Sequence, residues 1–538
     1  MHSFKGKLAA ILAILVVLGL VVSLAYTGKQ IVINRGETSD TEETEEIVKD
    51  KDTLILWYTD AALTDYLNSA AVSYSTENGN IRVIPELVSG REYLETISNE
   101  SVKNHNFPDM YITTHDLLEK AHLAGLADKI NAPGDYDLNA LFPETAINSV
   151  TYQGKVVAYP LYYECSALLY NKTYFDNWAV AYAEAEIDTE EGEAAQAAID
   201  SGDASALQAA EEVTIDENAM NADEEVVADA VEEDPERVAR VEKRSAELKA
   251  EYFPSTMEGL LTFSDMYDAP ENVEGIFKWA VNDIFYNYFV IGGTIDVGGK
   301  YGDDAECVDI YNENTIRALM DYQALNQFFS INTDEVSYSQ CLSEFTEGKM
   351  LFTIATTDAI KMLKQAKDEG TIDFEYAFAT LPGMTENVDA RSMSVTNGIA
   401  INGYSTNQTA ANDFAAYLST LDGASLYERT GKASVLKNAD YGSENDYLAS
   451  FMAEYEKSAP LPKMIETSNL WVNLELLFAS VWDGEDANKG LKQLSEQMML
   501  QITGEEYTEE PIEIIIEQEE EEEIIEEESD ASAEDSEQ

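Results

Sequence analysis

Glu164 is the residue whose setting most calls for chemistry. It lies in YQGKVVAYPLYYECSALLYNKTYFDNW, Tyr152 to Trp178, flanked by Tyr163, Cys165 and Ala167 in an apolar run. A carboxylate there demands a partner, because burying an unpaired charge is costly. Other chemistries find little footing. Cys165, Cys307 and Cys341 are odd in number and widely spaced, so they suggest neither a disulfide framework nor a metal site, and each reads as a small buried apolar residue. No nucleophile motif, metal-ligand cluster or phosphate-binding loop stands out. No cofactor or metal is expected, and a pocket without such motifs is expected to bind rather than catalyse.

The elements around Glu164 place it at a junction. Gln153-Gly154 between apolar flanks predicts a hairpin turn. Pro160 is expected to end the second strand, Leu161 to Glu164 to form a crossing, and Ser166 to Tyr170 to begin a new buried strand. A chain that leaves one sheet and enters another joins two lobes.

Upstream, apolar strand-like runs at Thr53–Tyr58, Ile81–Leu87 and Asp109–Thr113 alternate with helical Leu63–Tyr74, Arg91–Val102 and Leu117–Leu126, which predicts a parallel, doubly wound sheet. Downstream, a capping box at Ser255-Thr256-Met257-Glu258 opens a second α/β region. That region holds strands at Ile276–Val281 and Met350–Ala355. A return to the first lobe is expected around Tyr376–Pro382, with a strand at Asn397–Ile401, and a further crossing from Gly431, giving a three-stranded hinge.

The chain has 538 residues, a formal charge of −70 and 45% apolar residues, enough for one large two-lobed core. Nucleic acid and anionic lipid are excluded as partners, since both would be repelled. Roughly 40 of these charges fall in Glu37–Asp50, Ala179–Ala250 and Glu505–Gln538, which read as solvated polyelectrolyte. Within the second segment, Asp234-Pro235-Glu236 is a helix start, so residues 179–250 are expected to be an acidic helical insertion and 505–538 a disordered acidic tail. Lys5 and Lys7 followed by apolar Leu8 to Val22 form an export signal. Ser23-Leu24-Ala25 could be cleaved, yet the run is about long enough to span a bilayer uncut. Residues 1–25 are therefore a signal peptide or a membrane anchor, 26–52 an acidic tether, and the location extracytoplasmic, secreted or tethered to the outer face of the membrane.

The run around Glu164 closely resembles the first hinge of the maltose-binding group of extracellular solute-binding proteins that serve ABC transporters. Matching stretches recur in order: NFPDMYITTHDLLEKAHLAGLADKI from Asn106, FTEGKMLFTIATTDAIKML from Phe345, YAFATLPGM from Tyr376, NGIAINGYSTNQTAANDFAAYL from Asn397 and SAPLPKMIETSNLWVNLELL from Ser458. The resemblance runs from Thr53 to Thr503, apart from the insertion. It implies an α/β, two-lobed periplasmic-binding-protein-like fold of type II, each lobe a doubly wound sheet flanked by helices, joined by a multi-stranded hinge. Lobe one would comprise 53–161 and 382–432, and lobe two 162–178, 251–381 and 433–504.

By position, the resemblance implies sugar-binding roles for Asp60, Asp116, Glu164, Trp471 and Asp283 with Phe285 or Tyr286. Such a site needs ring faces for the C–H faces of a sugar and carboxylates or amides for its hydroxyls. Blander readings stand beside these: Asp60 and Asp116 as helix caps, Trp471 as core, Asp283 and Tyr286 as a helix start. Thr113, Leu117 and Asp358 replace family residues at the site, so two of three stacking tryptophans are missing, and a linear maltooligosaccharide is not implied. The implied function is sugar capture between the lobes by hinge closure and delivery to a membrane permease, by a monomer. The alternatives are a cell-surface glycan-binding adhesin or scaffold and, with Asp60 and Glu164 as a carboxylate pair, a glycosidase.

Overall fold

The structure, a computed structural model, describes residues 52–103, 107–201, 234–329, 331–333, 335–385, 388 and 390–514. The expected signal or anchor, nearly all of the tether and the tail beyond 514 lie outside the described residues. Fourteen strands are described, in chain order β1 Asp52–Tyr58, β2 Ile81–Leu87, β3 Met110–Thr114, β4 Thr151–Tyr152, β5 Lys155–Val156, β6 Ala158–Asn171, β7 Gly275–Phe277, β8 Asp296–Val297, β9 Val308–Asp309, β10 Met350–Thr356, β11 Tyr376–Ala379, β12 Met393–Ile401, β13 Ala433–Ser434 and β14 Ala459–Pro460.

One sheet runs β2-β1-β3-β12-β6-β10-β7, with β11 and β13 also on β6 and β14 on β12. β1 pairs parallel with β2 and β3, the doubly wound pattern expected of alternating strands and helices. β6 joins the two lobes. Its first half pairs antiparallel with β12, from Ala158 to Cys165, and its second half with β10, from Ser166 to Tyr170. Pro160 does not end a strand as expected. It sits inside β6 opposite Gly398, where the register slips between Asn397 and Gly398, and this bulge absorbs the ladder donor that proline lacks. The hairpin before it forms as expected, with β4 and β5 joined by Gln153 at φ 46° and Gly154 at φ 71°, the paired positive φ of a tight hairpin turn.

β11 lies on the lobe-two half of β6, from Leu168 to Asn171, so the chain re-enters lobe one along β12 rather than at Tyr376–Pro382. The hinge also holds β13, paired with Tyr162 and Tyr163, and β14, paired with Met393 and Ser394. Tyr163 stacks on Tyr455 at 4.2 Å, 19° between planes, which ties β6 to the helix Asn445–Lys457.

Of the acidic insertion, residues 202–233 lie outside the described residues; the described parts are helical and less detached than their composition suggests. Helices Lys172–Ser201 and Pro235–Tyr252 pack on each other, the second capped by Asp234, which accepts from the Glu236 N–H at 3.0 Å. Ala179, Ala183, Ile187, Val241 and Leu248 are buried in the lobe-two core. Excising residues 193–233 should therefore leave the melting temperature within a few degrees. Excising 179–250 would remove Ile187, Val241 and Leu248, each stabilising by roughly 1.5–3 kcal/mol, and should yield insoluble or strongly destabilised protein. Equal melting curves for the two deletions would show that these contacts contribute nothing.

The tail also differs from expectation as far as Ile514. Asn488 Nδ2 donates to the Ile512 carbonyl at 2.8 Å and the Ile512 N–H to Tyr311 Oη at 3.1 Å. Ile512 and Ile514 rest on the lobe-two core. Two isoleucines and two side-chain bonds to the Ile512 backbone thus offset the charge of this stretch.

Candidate functional site

A cleft of about 580 Å³ lies beside the hinge, lined by Asp60 and Ala62 after β1, Glu164 of β6, Phe285 and Tyr286, Tyr338, Thr356 to Asp358, Lys361 and Thr430 to Lys432. Each group is placed by local structure. Asp60 caps the short 3-10 turn Ala61–Leu63, its Oδ1 accepting from the Ala62 N–H at 2.9 Å, which leaves Oδ2 for the cleft. The cap and the site readings of Asp60 therefore hold together. The helix Gly423–Thr430 ends at Gly431, φ 74°. That left-handed cap turns the chain into β13 and sets Lys432 over the Tyr162 ring, 5.5 Å from its centroid.

Lys432 Nζ then stands 2.6 Å from Glu164 Oε1 and 3.3 Å from Asp60 Oδ2. Burial works against the ammonium, but the charges of Glu164 and Asp60 prevail and raise its pKa above the ordinary lysine value. The partner demanded by Glu164 is this lysine. Its sequence signal was slight, a lysine after a glycine at an expected crossing.

The opposite wall is aromatic. Tyr286 stacks on Tyr338 at 4.9 Å and 17°, and Phe285 meets Tyr286 edge-on at 5.5 Å. Tyr338 Oη accepts from the Thr356 N–H at 3.1 Å and donates to Asp358 Oδ1 at 3.0 Å, which fixes that ring. Nothing in the sequence marked Tyr338, because the helix Tyr338–Thr346 reaches Tyr286 only through tertiary packing.

Of the expected site residues, Asp60, Glu164, Phe285 and Tyr286 meet in this cleft. Asp283 does not line it; its Oδ1 accepts from the Phe285 N–H at 2.9 Å and so caps the turn that presents Phe285 and Tyr286. Trp471 does not line this cavity; it is half-buried on the lobe-two core with its ring 6.0 Å from Tyr288. Asp116 also lies elsewhere, beside Lys463. Burial raises the Asp116 pKa, and its Oδ1 is enclosed without a hydrogen-bond partner. Lys463, itself buried, donates to the carbonyls of Asn148 and Tyr301. Its pKa is pushed down to about 7 by burial, against the pull of Asp303, Asp116 and Glu119.

A profile of bacterial extracellular solute-binding proteins matches residues 69–445. The chain belongs to that family. Among solved structures, this solute-binding protein is similar to a cyclo/maltodextrin-binding protein complexed with maltotetraose, with a TM-score of 0.60 and 17% identity over 87% of this chain and 100% of that one. It is also similar to the extracellular solute-binding protein of Staphylococcus aureus in complex with maltose, with a TM-score of 0.59 and 16% identity over 85% and 99%. The maltose-binding periplasmic protein of Listeria monocytogenes, in complex with maltose, gives 0.59 and 16% over 85% and 100%. No curated protein matches by sequence. These likenesses show the two-lobed fold of this solute-binding protein. Family membership makes its role extracytoplasmic solute binding.

Proposed function

We propose that this solute-binding protein captures a carbohydrate in the cleft between its lobes, closes about the hinge, and delivers it to the permease of an ABC transporter. The observation that carries the reading is the pairing of two walls. The ionic chain Asp60–Lys432–Glu164 offers acceptors and donors for hydroxyls, and the stacked Tyr286–Tyr338 pair offers ring surface for C–H faces. A volume of about 580 Å³ falls within the range of about 300–1,000 Å³ common for small-ligand sites. The similar structures bound to maltose and maltotetraose support the same class of ligand. Binding without turnover is part of the proposal. Asp60 and Glu164 share one ammonium, an arrangement suited to holding hydroxyls. The protein acts as a monomer outside the cytoplasm, and the apolar N-terminal segment is its export signal or membrane tether.

A thermal-shift screen against mono- and oligosaccharides tests this. A ligand at about 100 times its Kd should add about 2.7 kcal/mol of stability, and isothermal titration should show saturable binding with no sugar released. Silence across all carbohydrates would defeat the proposal, and release of product sugars would make the protein an enzyme.

A further inference from the structure

The lobes also touch at a second place, which shares no residue with the cleft. Successive residues of a strand face opposite ways. Glu164 of β6 lines the cleft, whereas its neighbours Tyr163 and Cys165 pack with Ala146 of the helix Glu144–Ser149, so this helix lies behind the hinge. A loop of lobe two reaches it there. Lys300 pairs with Glu144 at 2.7 Å, and Asp303 Oδ2 accepts from the Gln153 N–H at 2.5 Å. Just after β14, the Ile465 N–H donates to Glu119 Oε2 at 2.7 Å, and Tyr152 Oη donates to Glu119 Oε1 at 3.0 Å. Tyr152 belongs to the lobe-one core, while Ile295 and Val297 at the root of the loop rest on the lobe-two core.

Lys463 is buried in the middle of this seam. Its Nζ donates to the carbonyl of Asn148, on the rear helix, at 3.2 Å and to that of Tyr301, on the loop, while its own N–H donates to the Gly302 carbonyl at 2.6 Å. It enters no ion pair among the described residues. The charged and titratable groups facing it are His115, Asp116 and Glu119 after β3 and Asp303 on the loop. Farther out stand Tyr152, the Glu144–Lys300 pair and, beyond Glu119, Glu466. Two carbonyls satisfy the two N–H groups of an uncharged amine and leave the third proton of an ammonium without an acceptor. Burial accordingly pushes the lysine from its ordinary 10.5 down to about 7, against the pull of Asp303, Asp116 and Glu119.

We infer that Lys463 is a pH-dependent pin behind the hinge: as the uncharged amine it holds the rear seam together and the cleft open, and as the ammonium it favours parting of the seam and closure of the cleft. This rests on the hinge closure of the reading above and adds regulation by pH to it. The hinge acts as a lever, since narrowing the cleft in front of β6 widens the seam behind it. Water then reaches Nζ, and the ordinary affinity of lysine for its proton returns. The closed state therefore binds more protons than the open one between about pH 7 and about pH 10, and closure weakens as the pH rises through that window.

Two readouts test the pin, one without ligand and one with it. Hydrogen exchange of the ligand-free protein follows the amides of Gln153 and Ile465, whose bonds cross the seam. Relative to Lys463→Met, their protection in the parent should rise about tenfold from pH 7 to pH 9. With a glycan found by the screen, the affinity of the parent should fall about tenfold over the same range. Lys463→Met should bind about as weakly as the parent at pH 9, and Lys463→Arg, which stays charged, about as tightly as the parent at pH 7, each constant with pH within about twofold. Should the methionine variant fold poorly, the arginine variant serves both comparisons. A parent whose pH profile matches that of the variants, in exchange or in binding, would overturn the pin. If no glycan binds, exchange alone decides, so the carbohydrate reading can fall while the pin stands.

Discussion

Glu164→Gln should weaken glycan binding about tenfold, and Glu164→Ala about a hundredfold, with little change in melting temperature. Glu164 is a strand residue of β6 whose carboxylate faces the cleft and is bound at 2.6 Å by Lys432. A hydrogen bond to a charged acceptor is worth about 1.5–3 kcal/mol against about 0.5–1.5 kcal/mol for a neutral one. The amide keeps the shape of the side chain but forfeits that difference and offers a donor where a sugar hydroxyl would donate. Stability should change little, because 38% of the Glu164 side chain is exposed and exposed ion pairs contribute at most about 1 kcal/mol. Combining Glu164→Gln with Lys432→Met separates direct contact from positioning. If Lys432 acts by aiming Glu164, its loss should cost much less in the glutamine background than in the parent. Parent-like isotherms for both Glu164 variants would remove this residue from the site.

The elements that position the site were legible wherever burial leaves a periodic trace. β1, β2 and β3 appear as apolar runs with helices between them, and Gln153-Gly154 announces its turn. The errors share one physical source, local composition overruled by tertiary contact. Pro160 looks like a strand end until Gly398 opposes it with a bulge. Ala179, Ala183 and Ile187 form a narrow stripe at four-residue spacing, hidden among the acids of the insertion yet buried in lobe two. Ile512 and Ile514 do the same for the first part of the tail.

The lining of the candidate cleft was half legible. Glu164 declared itself as a carboxylate in an apolar strand, and Asp60, Phe285 and Tyr286 entered by likeness of position. Lys432 and Tyr338 did not, since one depends on the left-handed cap at Gly431 and the other on a ring stack between distant helices. Trp471, the most conspicuous aromatic candidate, packs on Tyr288 instead. The ring surface lining this cleft comes from Phe285, Tyr286 and Tyr338.

Acid should loosen the hinge through His115, and the unfolding free energy should fall by on the order of 4 kcal/mol on this account alone between about pH 6.5 and about pH 3. His115 is fully buried at the end of β3. The Thr396 N–H of β12 donates to its Nδ1 at 3.0 Å, so that nitrogen carries no proton, and Nε2–H donates to the Leu461 carbonyl at 3.0 Å. One neutral tautomer thus bonds two of the hinge segments at once. Burial first, and the nearby Lys463 ammonium second, push its pKa from 6.5 down to about 3. The unfolded chain takes up this proton below about 6.5 and the native one only near 3, so throughout that window the unfolded state binds more protons. Stability from this group is complete above 6.5 and is lost as the pH falls toward 3. His115→Asn, which can accept from Thr396 but forfeits the bond to Leu461, should be less stable than the parent by about 1–2 kcal/mol near neutral pH. Because asparagine does not titrate, the parent should lose about 2–3 kcal/mol more than the variant between about pH 7 and about pH 4.5. Urea unfolding of both proteins at those two pH values reads the difference directly. Parallel losses would place the acid sensitivity in the carboxylates and not in His115.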